Sequence, residues 1–202
     1  AAMVMLSFWK FEYPLCDPFC GSGTIPIEAA MFKRNIAPGI SRNFLAENFE
    51  QIPADMWRSV RAEARDKVRN TPLNILASDI DENILSVARQ NAGIAGVGDS
   101  ITFRCADASK FYSSEKYGSI ICNPPYGERM GDIQSCLELY KNIGKAFSHL
   151  PDWSYYILAS NEDFEKYFGK QADKRRKIYN GMIKCNIYQY FGARPPKKTE
   201  TI

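Results

Sequence analysis

The residues with the most chemical content are Asn123-Pro124-Pro125-Tyr126, which follow the apolar run Ser119-Ile120-Ile121-Cys122. They offer an amide, two backbone turns fixed by proline and an aromatic face, placed where a buried strand runs out. The Asn123 amide oxygen and a proline carbonyl can both accept hydrogen bonds from one exocyclic amine, leaving its lone pair directed at an incoming electrophile. Tyr126 can stack on the planar system that carries the amine, a contact worth about 1–3 kcal/mol for a nucleobase. A nearly neutral amine attacking a sulfonium methyl needs alignment more than a strong base, so positioning carries much of the work. The bland alternative for these four residues is a strand that two prolines merely end.

Three other stretches carry acids at strand ends. Asp17 closes the run Tyr13-Pro14-Leu15-Cys16 and precedes the turn Gly21-Ser22-Gly23 and a helix. A glycine turn between a strand acid and a helix start lets backbone approach a ligand closely. The turn lacks the third glycine of a dinucleotide fingerprint, with Pro26 in its place, and the chain has no phosphate-loop lysine motif. Asp79 ends the second strand, where a carboxylate can accept two ribose hydroxyls. Asp81 reads as the cap of the next helix. Asp107 ends the third strand, where it can accept from an adenine amino group while Ala108 or neighbouring backbone meets the ring.

The elements that must hold these residues alternate. An opening helix over the apolar start, reaching Trp9, is expected to be buried. The strands are expected at 13–19, 74–79, 101–107, 118–122 and 153–159, with helices at 24–35, 82–95, 137–150 and 163–168. Thr24 or Ser22 would cap the first of these four. Two final runs, 176–179 and 185–191, are joined by the hairpin dipeptide Asn180-Gly181, with Met182, Ile183 and Lys184 open to either arm or to the turn. Residues 37–72 form an insert, with a surface helix begun at Pro53 and running to Val68, which lengthens the first crossover without making a domain. The pattern predicts an α/β fold with a seven-stranded Rossmann-like sheet, mostly parallel, with a C-terminal antiparallel hairpin and helices on both faces. Ligands then sit outside the carboxyl ends of the strands, so the four strand ends share one crevice.

The bulk numbers agree with one catalytic domain over residues 1–202. The chain is 45% hydrophobic and 24% charged, with no apolar run near the ~20 residues that span a bilayer. Six cysteines lie without a Cys-x-x-Cys pair, and His149 is the sole histidine. That argues against a zinc site, a disulfide framework or a histidine-based nucleophile, and for reduced thiols in a cytoplasmic protein. Cys16, Cys105, Cys122 and Cys185 read as small core hydrophobes. The net charge of +3 is mild. Its distribution is less even, with Lys166, Lys170, Lys174, Arg175, Arg176, Lys177 and Lys184 crowded into one segment and Arg194, Lys197 and Lys198 close behind. These form either a solvated face or a phosphate-binding edge.

Asp17 to Thr24, Asp79-Ile80-Asp81, Asp107 and Asn123 to Tyr126 resemble the motifs of class I S-adenosylmethionine-dependent methyltransferases that modify amines. More closely, 17–30, Asn123 through Gly127-Glu128-Arg129 and the tail Tyr188-Gln189-Tyr190-Phe191 resemble THUMP-domain ribosomal RNA guanine-N2 methyltransferases, a family often labelled as N6-adenine-specific DNA methylases. The resemblance implies S-adenosylmethionine as donor, a guanine amine of 23S rRNA as acceptor and no metal. It also implies that Asp17, Pro18, Phe19, Cys20, Gly21, Gly23, Thr24, Asp79, Ile80, Asp107, Ala108 and Asn123 line the donor. Asn123, Pro124 and Tyr126 would perform the catalysis, and Pro125, Tyr126 and Arg129 would meet the target base. Family members carry an RNA-binding THUMP region ahead of this domain, so the chain, starting abruptly in a helix, is expected to be a fragment.

Rival readings keep the chemistry but change the acceptor: an adenine of DNA or RNA, or a glutamine of a release factor. A different class is a non-catalytic cofactor- or RNA-binding module, against which the intact Asn123 and Tyr126 argue. A nicotinamide oxidoreductase is the weakest rival.

Overall fold

The computed structural model describes residues 1–127 and 132–196 of the chain. In chain order the strands are β1 Leu15–Asp17, β2 Ile75–Asp79, β3 Ile101–Cys105, β4 Ser119–Cys122, β5 Ser154–Ala159, β6 Lys174–Asn180 and β7 Ile183–Tyr190. The helices are α1 Ala2–Leu6, α2 Thr24–Lys33, α3 Ala54–Asp66, α4 Glu82–Ile94, α5 Asp132–Ser148 and α6 Phe164–Phe168. The sheet order is β3-β2-β1-β4-β5-β7-β6, with β1 to β5 parallel and β7 antiparallel to both β5 and β6. This is the expected seven-stranded sheet with its closing hairpin.

Successive strand residues point to opposite faces, and the chain exploits that alternation. Leu15, Ile121, Tyr156 and Ile187 pack on one face with Met3 and Val4 of α1, Ala29 and Ala30 of α2, and Leu85 and Ala92 of α4. Cys16, Ile120, Cys122, Ile157 and Tyr188 pack on the other against Tyr140, Ile143 and Phe147 of α5 and Phe164 and Phe168 of α6. Helices α5 and α6 touch closely at Gly144, where a Cβ would lie 2.0 Å from the Phe168 carbonyl oxygen.

Several expectations require correction. The opening helix ends at Leu6, and only its Met3 and Val4 are buried, while Phe8 is exposed. Trp9 is buried in the loop that follows, where its indole N–H donates to the Tyr13 carbonyl at 2.8 Å. Neither Thr24 nor Ser22 caps α2; its N-cap is Gly23, with φ of +88° and no side-chain cap. β3 stops at Cys105, because pairing with β2 ends at Asp79, and Asp107 starts a short 3-10 turn instead. Cys16, Cys122 and Cys185 are core residues, whereas Cys105 is exposed at the end of an edge strand. Helix α5 begins at Asp132, ahead of the expected 137. The hairpin turn falls one residue later than expected, on Gly181-Met182, since Asn180 pairs with Ile183.

The insert is held by side-chain contacts, and no residue of α3 is buried. Phe44 stacks on Trp57 at 5.8 Å, with Arg42 over the Phe44 ring and Arg61 over the Trp57 ring. Arg61 also pairs with Glu47 at 2.5 Å. Among the described residues no helix is long and apolar enough to cross a membrane.

Candidate active site

The parallel strands β3, β2, β1 and β4 lie side by side, so their carboxyl ends bring Asp107, Asp79, Asp17 and Asn123 to one edge of the sheet. The chain leaves β1 for β2 on one side and reaches β4 on the other, which makes this edge the switch point where such sheets open a crevice. The glycine turn is fastened across it. Cys20 N–H donates to the Ser78 carbonyl at 2.9 Å, and Gly21 N–H donates to Asp79 Oδ2 at 2.9 Å. Asn91 of α4 donates from Nδ2 to the Ser22 carbonyl at 2.9 Å. Gly21 has no atom within 4 Å of where a Cβ would stand, so one side of the turn is open. Gly23 is the reverse: a Cβ would meet Ala88 at 3.2 Å. One glycine leaves room for a ligand and the other lets α2 approach α4.

Asp17 is 1% exposed. Its Oδ1 accepts from Phe19 N–H at 3.1 Å, while Oδ2 is buried with no hydrogen-bond partner. Burial raises its pKa to about 8, partly offset by the Phe19 bond and reinforced by the nearby Asp79 charge. The Cys20 thiol is pushed up to about 12, by burial first and then by Asp17 and Asp79, so it remains protonated at neutral pH. A buried acid with a spare oxygen beside a second carboxylate is a site for a cationic group. The residues present therefore fit a donor that carries an ammonium and a sulfonium.

Asp79 binds its own loop as well as the glycine turn, with Oδ1 accepting from Asp81 N–H at 3.1 Å. Asp81 caps α4 as expected, accepting from Asn83 N–H at 2.8 Å. Ile80 between them is 73% exposed. Asp107 accepts from both the Ser109 hydroxyl, at 2.7 Å, and its N–H, at 2.9 Å. These bonds hold its carboxyl below the usual range. Its Oδ1 is thus committed to the turn, while Oδ2 holds no hydrogen bond and faces only the exposed Lys110 ammonium at 3.8 Å. Ala108 is buried behind it. Pro18 is buried, Phe19 half-buried and Thr24 exposed at the start of α2.

Beyond β4, Asn123 and Pro125 are exposed, Pro124 is buried and Tyr126 is half-buried. The Tyr126 hydroxyl donates to Asn123 Oδ1 at 2.5 Å. Two residues that sequence reasoning missed grip the motif from behind. Tyr140 donates its hydroxyl to the Pro125 carbonyl at 2.8 Å, and Cys136 approaches the same oxygen at 3.4 Å. They are one helical turn apart on α5, and their buried spacing was the available signal. Asn180, also missed, brings Nδ2 to 3.4 Å from the Tyr126 hydroxyl. Nothing local in the sequence marks that contact or the one from Asn91, since both partners are distant along the chain. Arg129 lies outside the described residues.

The strand order, the glycine turn at the switch point and the row of acids define a class I methyltransferase domain. Residues 1–189 match the UPF0020 family, described as RMKL-like, methyltransferase domain, and the chain belongs to that family. A Bacillus subtilis (strain 168) protein, YpsC, provisionally named an RNA methyltransferase, is 45% identical over the whole chain, which spans 52% of it. The ribosomal RNA large subunit methyltransferase K/L of Legionella pneumophila (strain Philadelphia 1) is 34% identical over 93% of the chain and 27% of its own length. Among solved structures, one described as a possible methylase from Clostridium difficile 630 superposes with a TM-score of 0.92 at 48% identity, over 96% of this chain and 52% of that one. SMU.472, provisionally a methyltransferase and solved with SAH, gives 0.92 at 39% identity over the same shares. The chain thus spans about half the length of YpsC and of both solved relatives.

Proposed function

We propose that the protein transfers a methyl group from S-adenosylmethionine to the exocyclic N2 amine of a guanine in 23S rRNA. The observation that carries this is that Asn123-Pro124-Pro125-Tyr126 follows β4 at the carboxyl end of the sheet, next to β1, which ends in Asp17 with its unpartnered buried oxygen. The ribosomal assignment is supported by the names of the K/L relatives. When bound, the donor supplies a methyl on a sulfonium, an electrophile that requires no metal.

The chain's own residues hold and orient. Asp17 meets the ammonium, Asp79 the ribose hydroxyls and Asp107 Oδ2 the adenine amine, with Ile80 and Ala108 against the ring. The exposure of Ile80 suits a residue that a flat ring would cover. Asn123 Oδ1 and the Pro124 carbonyl accept the two N–H bonds of the target amine, and Tyr126 stacks on the base. The N–CH3 bond forms as the S–CH3 bond breaks, and one proton leaves the nitrogen for solvent. The two acceptors stabilise positive charge growing on that nitrogen. Stacked RNA hides its amines, so the base must be splayed out into the crevice.

The edge strand β6 supplies cations for the surrounding phosphates. Arg175 is tied to Glu165 and Lys184 to Glu162, whereas Lys174, Arg176 and Lys177 show no ion pair among the described residues. The decisive experiment is methylation of rRNA from a strain lacking the gene, followed by mass mapping. Methyl on guanine N2 is expected. Methyl on adenine N6, or no methyl on the rRNA, would overturn the assignment.

A further inference from the structure

Tyr126 stands between two carboxamides. Its hydroxyl donates to Asn123 Oδ1 at 2.5 Å, and its oxygen lies 3.4 Å from Asn180 Nδ2. Asn180 is exposed and closes β6, directly before the Gly181-Met182 turn. The pairing of Lys174 through Asn180 with β7 fixes its place, so the sheet delivers it to the clamp.

The clamp reading, on which this inference rests, needs Asn123 Oδ1 for the target amine. In the structure that oxygen already holds the Tyr126 proton. A hydroxyl displaced from it must find another acceptor or lose a hydrogen bond. The Asn180 contact is long for a hydrogen bond and is no lock. Its value is that a carboxamide carries an acceptor beside its donor. Rotation about the last side-chain bond exchanges the Asn180 NH2 for its carbonyl oxygen, which then accepts from Tyr126.

We infer that Asn180 is a positioning residue that receives the Tyr126 hydroxyl when the target amine takes Asn123. The closed pair Tyr126–Asn123 is the resting clamp, and the hairpin end holds the open one. Recognition of the base is thereby coupled to the β6–β7 hairpin, whose strand β6 also carries Lys174, Arg176 and Lys177.

The test measures labelled methyl transfer from S-adenosylmethionine to unmodified large-subunit rRNA by the protein as the cell makes it. Asn180→Ala is expected to lower kcat/KM for RNA about three- to tenfold, the range that one net hydrogen bond represents. The KM for the donor and the thermal midpoint should not move. Asn180→Asp, which keeps an acceptor, should recover part of the loss. Tyr126→Phe keeps the ring but removes the hydroxyl, so Asn180→Ala should cause no further loss in that background. Native kinetics in Asn180→Ala, or losses that multiply in the double variant, would overturn the inference. Asn123→Ala separates the two levels. If it leaves turnover intact, the clamp reading itself falls. If it abolishes turnover while Asn180→Ala changes nothing, only the role of the hairpin falls.

Discussion

Binding of the donor or its product should release a proton, and Asp17 should be the source. Its carboxyl is buried, with a pKa raised from 3.8 to about 8 and one oxygen without a partner. At pH 7 such a group is about nine-tenths protonated, so pairing with a ligand ammonium would expel about 0.9 proton. The assay is calorimetric titration with S-adenosylhomocysteine in two buffers of different ionisation enthalpy. The observed heats should differ by that proton times the difference between the buffers. Asp17→Asn should abolish the buffer dependence and weaken binding about tenfold to a hundredfold, the range for a hydrogen bond to a charged group. The same shift has a sign in the unliganded protein. Between pH 3.8 and about 8 the folded chain keeps a proton that the unfolded chain has released. The contribution of Asp17 to stability is therefore full below 3.8 and is lost as pH rises towards 8, at no more than about 1.4 kcal/mol per pH unit. Asp17→Asn should flatten that decline. Heats independent of buffer in the native protein, or equal proton release in Asp17→Asn, would refute the reasoning.

Other consequences can be measured directly. Tyr140→Phe removes the hydroxyl that holds the Pro125 carbonyl, and should cost about 1 kcal/mol of stability in a denaturant melt while lowering kcat more than it changes donor affinity. Gly144→Ala places a Cβ 2.0 Å from the Phe168 carbonyl oxygen and should destabilise by about 1–3 kcal/mol, read as a fall in thermal midpoint of about 2–4 °C per kcal/mol. Reversing Lys174, Arg176 and Lys177 to Glu should weaken RNA binding and flatten its salt dependence, by about 0.7 in log–log slope for each phosphate of single-stranded RNA that is no longer neutralised. An unchanged slope would remove the edge strand from the RNA interface.

The type and order of the elements were legible because hydrophobic period is a local property. Buried runs such as Ser119 to Cys122, and the helical spacing of Ile84, Leu85 and Ala88, announce themselves within a few residues. Element ends are less legible. Gly23 rather than Ser22 or Thr24 sits at the N-cap of α2, because the turn is shaped by its bonds to Ser78 and Asp79 on another strand. Cys105 lies outside the core for a related reason: a strand sequence does not say which of the strands ends up at the edge.

The sequence by itself determined the α/β alternation, the acids and amide at the strand ends and the family resemblance, since each rests on residue type and short spacing. Only the tertiary structure decided how those ends are wired. It left Asp17 Oδ2 unpartnered, turned Asp107 Oδ1 into its own loop and locked Tyr126 onto Asn123. It also brought Tyr140 and Asn180 to the motif from a helix and a hairpin far along the chain. Burial and hydrogen-bond partners are set by whichever groups the sheet order places side by side, and that order joins residues separated by tens of positions.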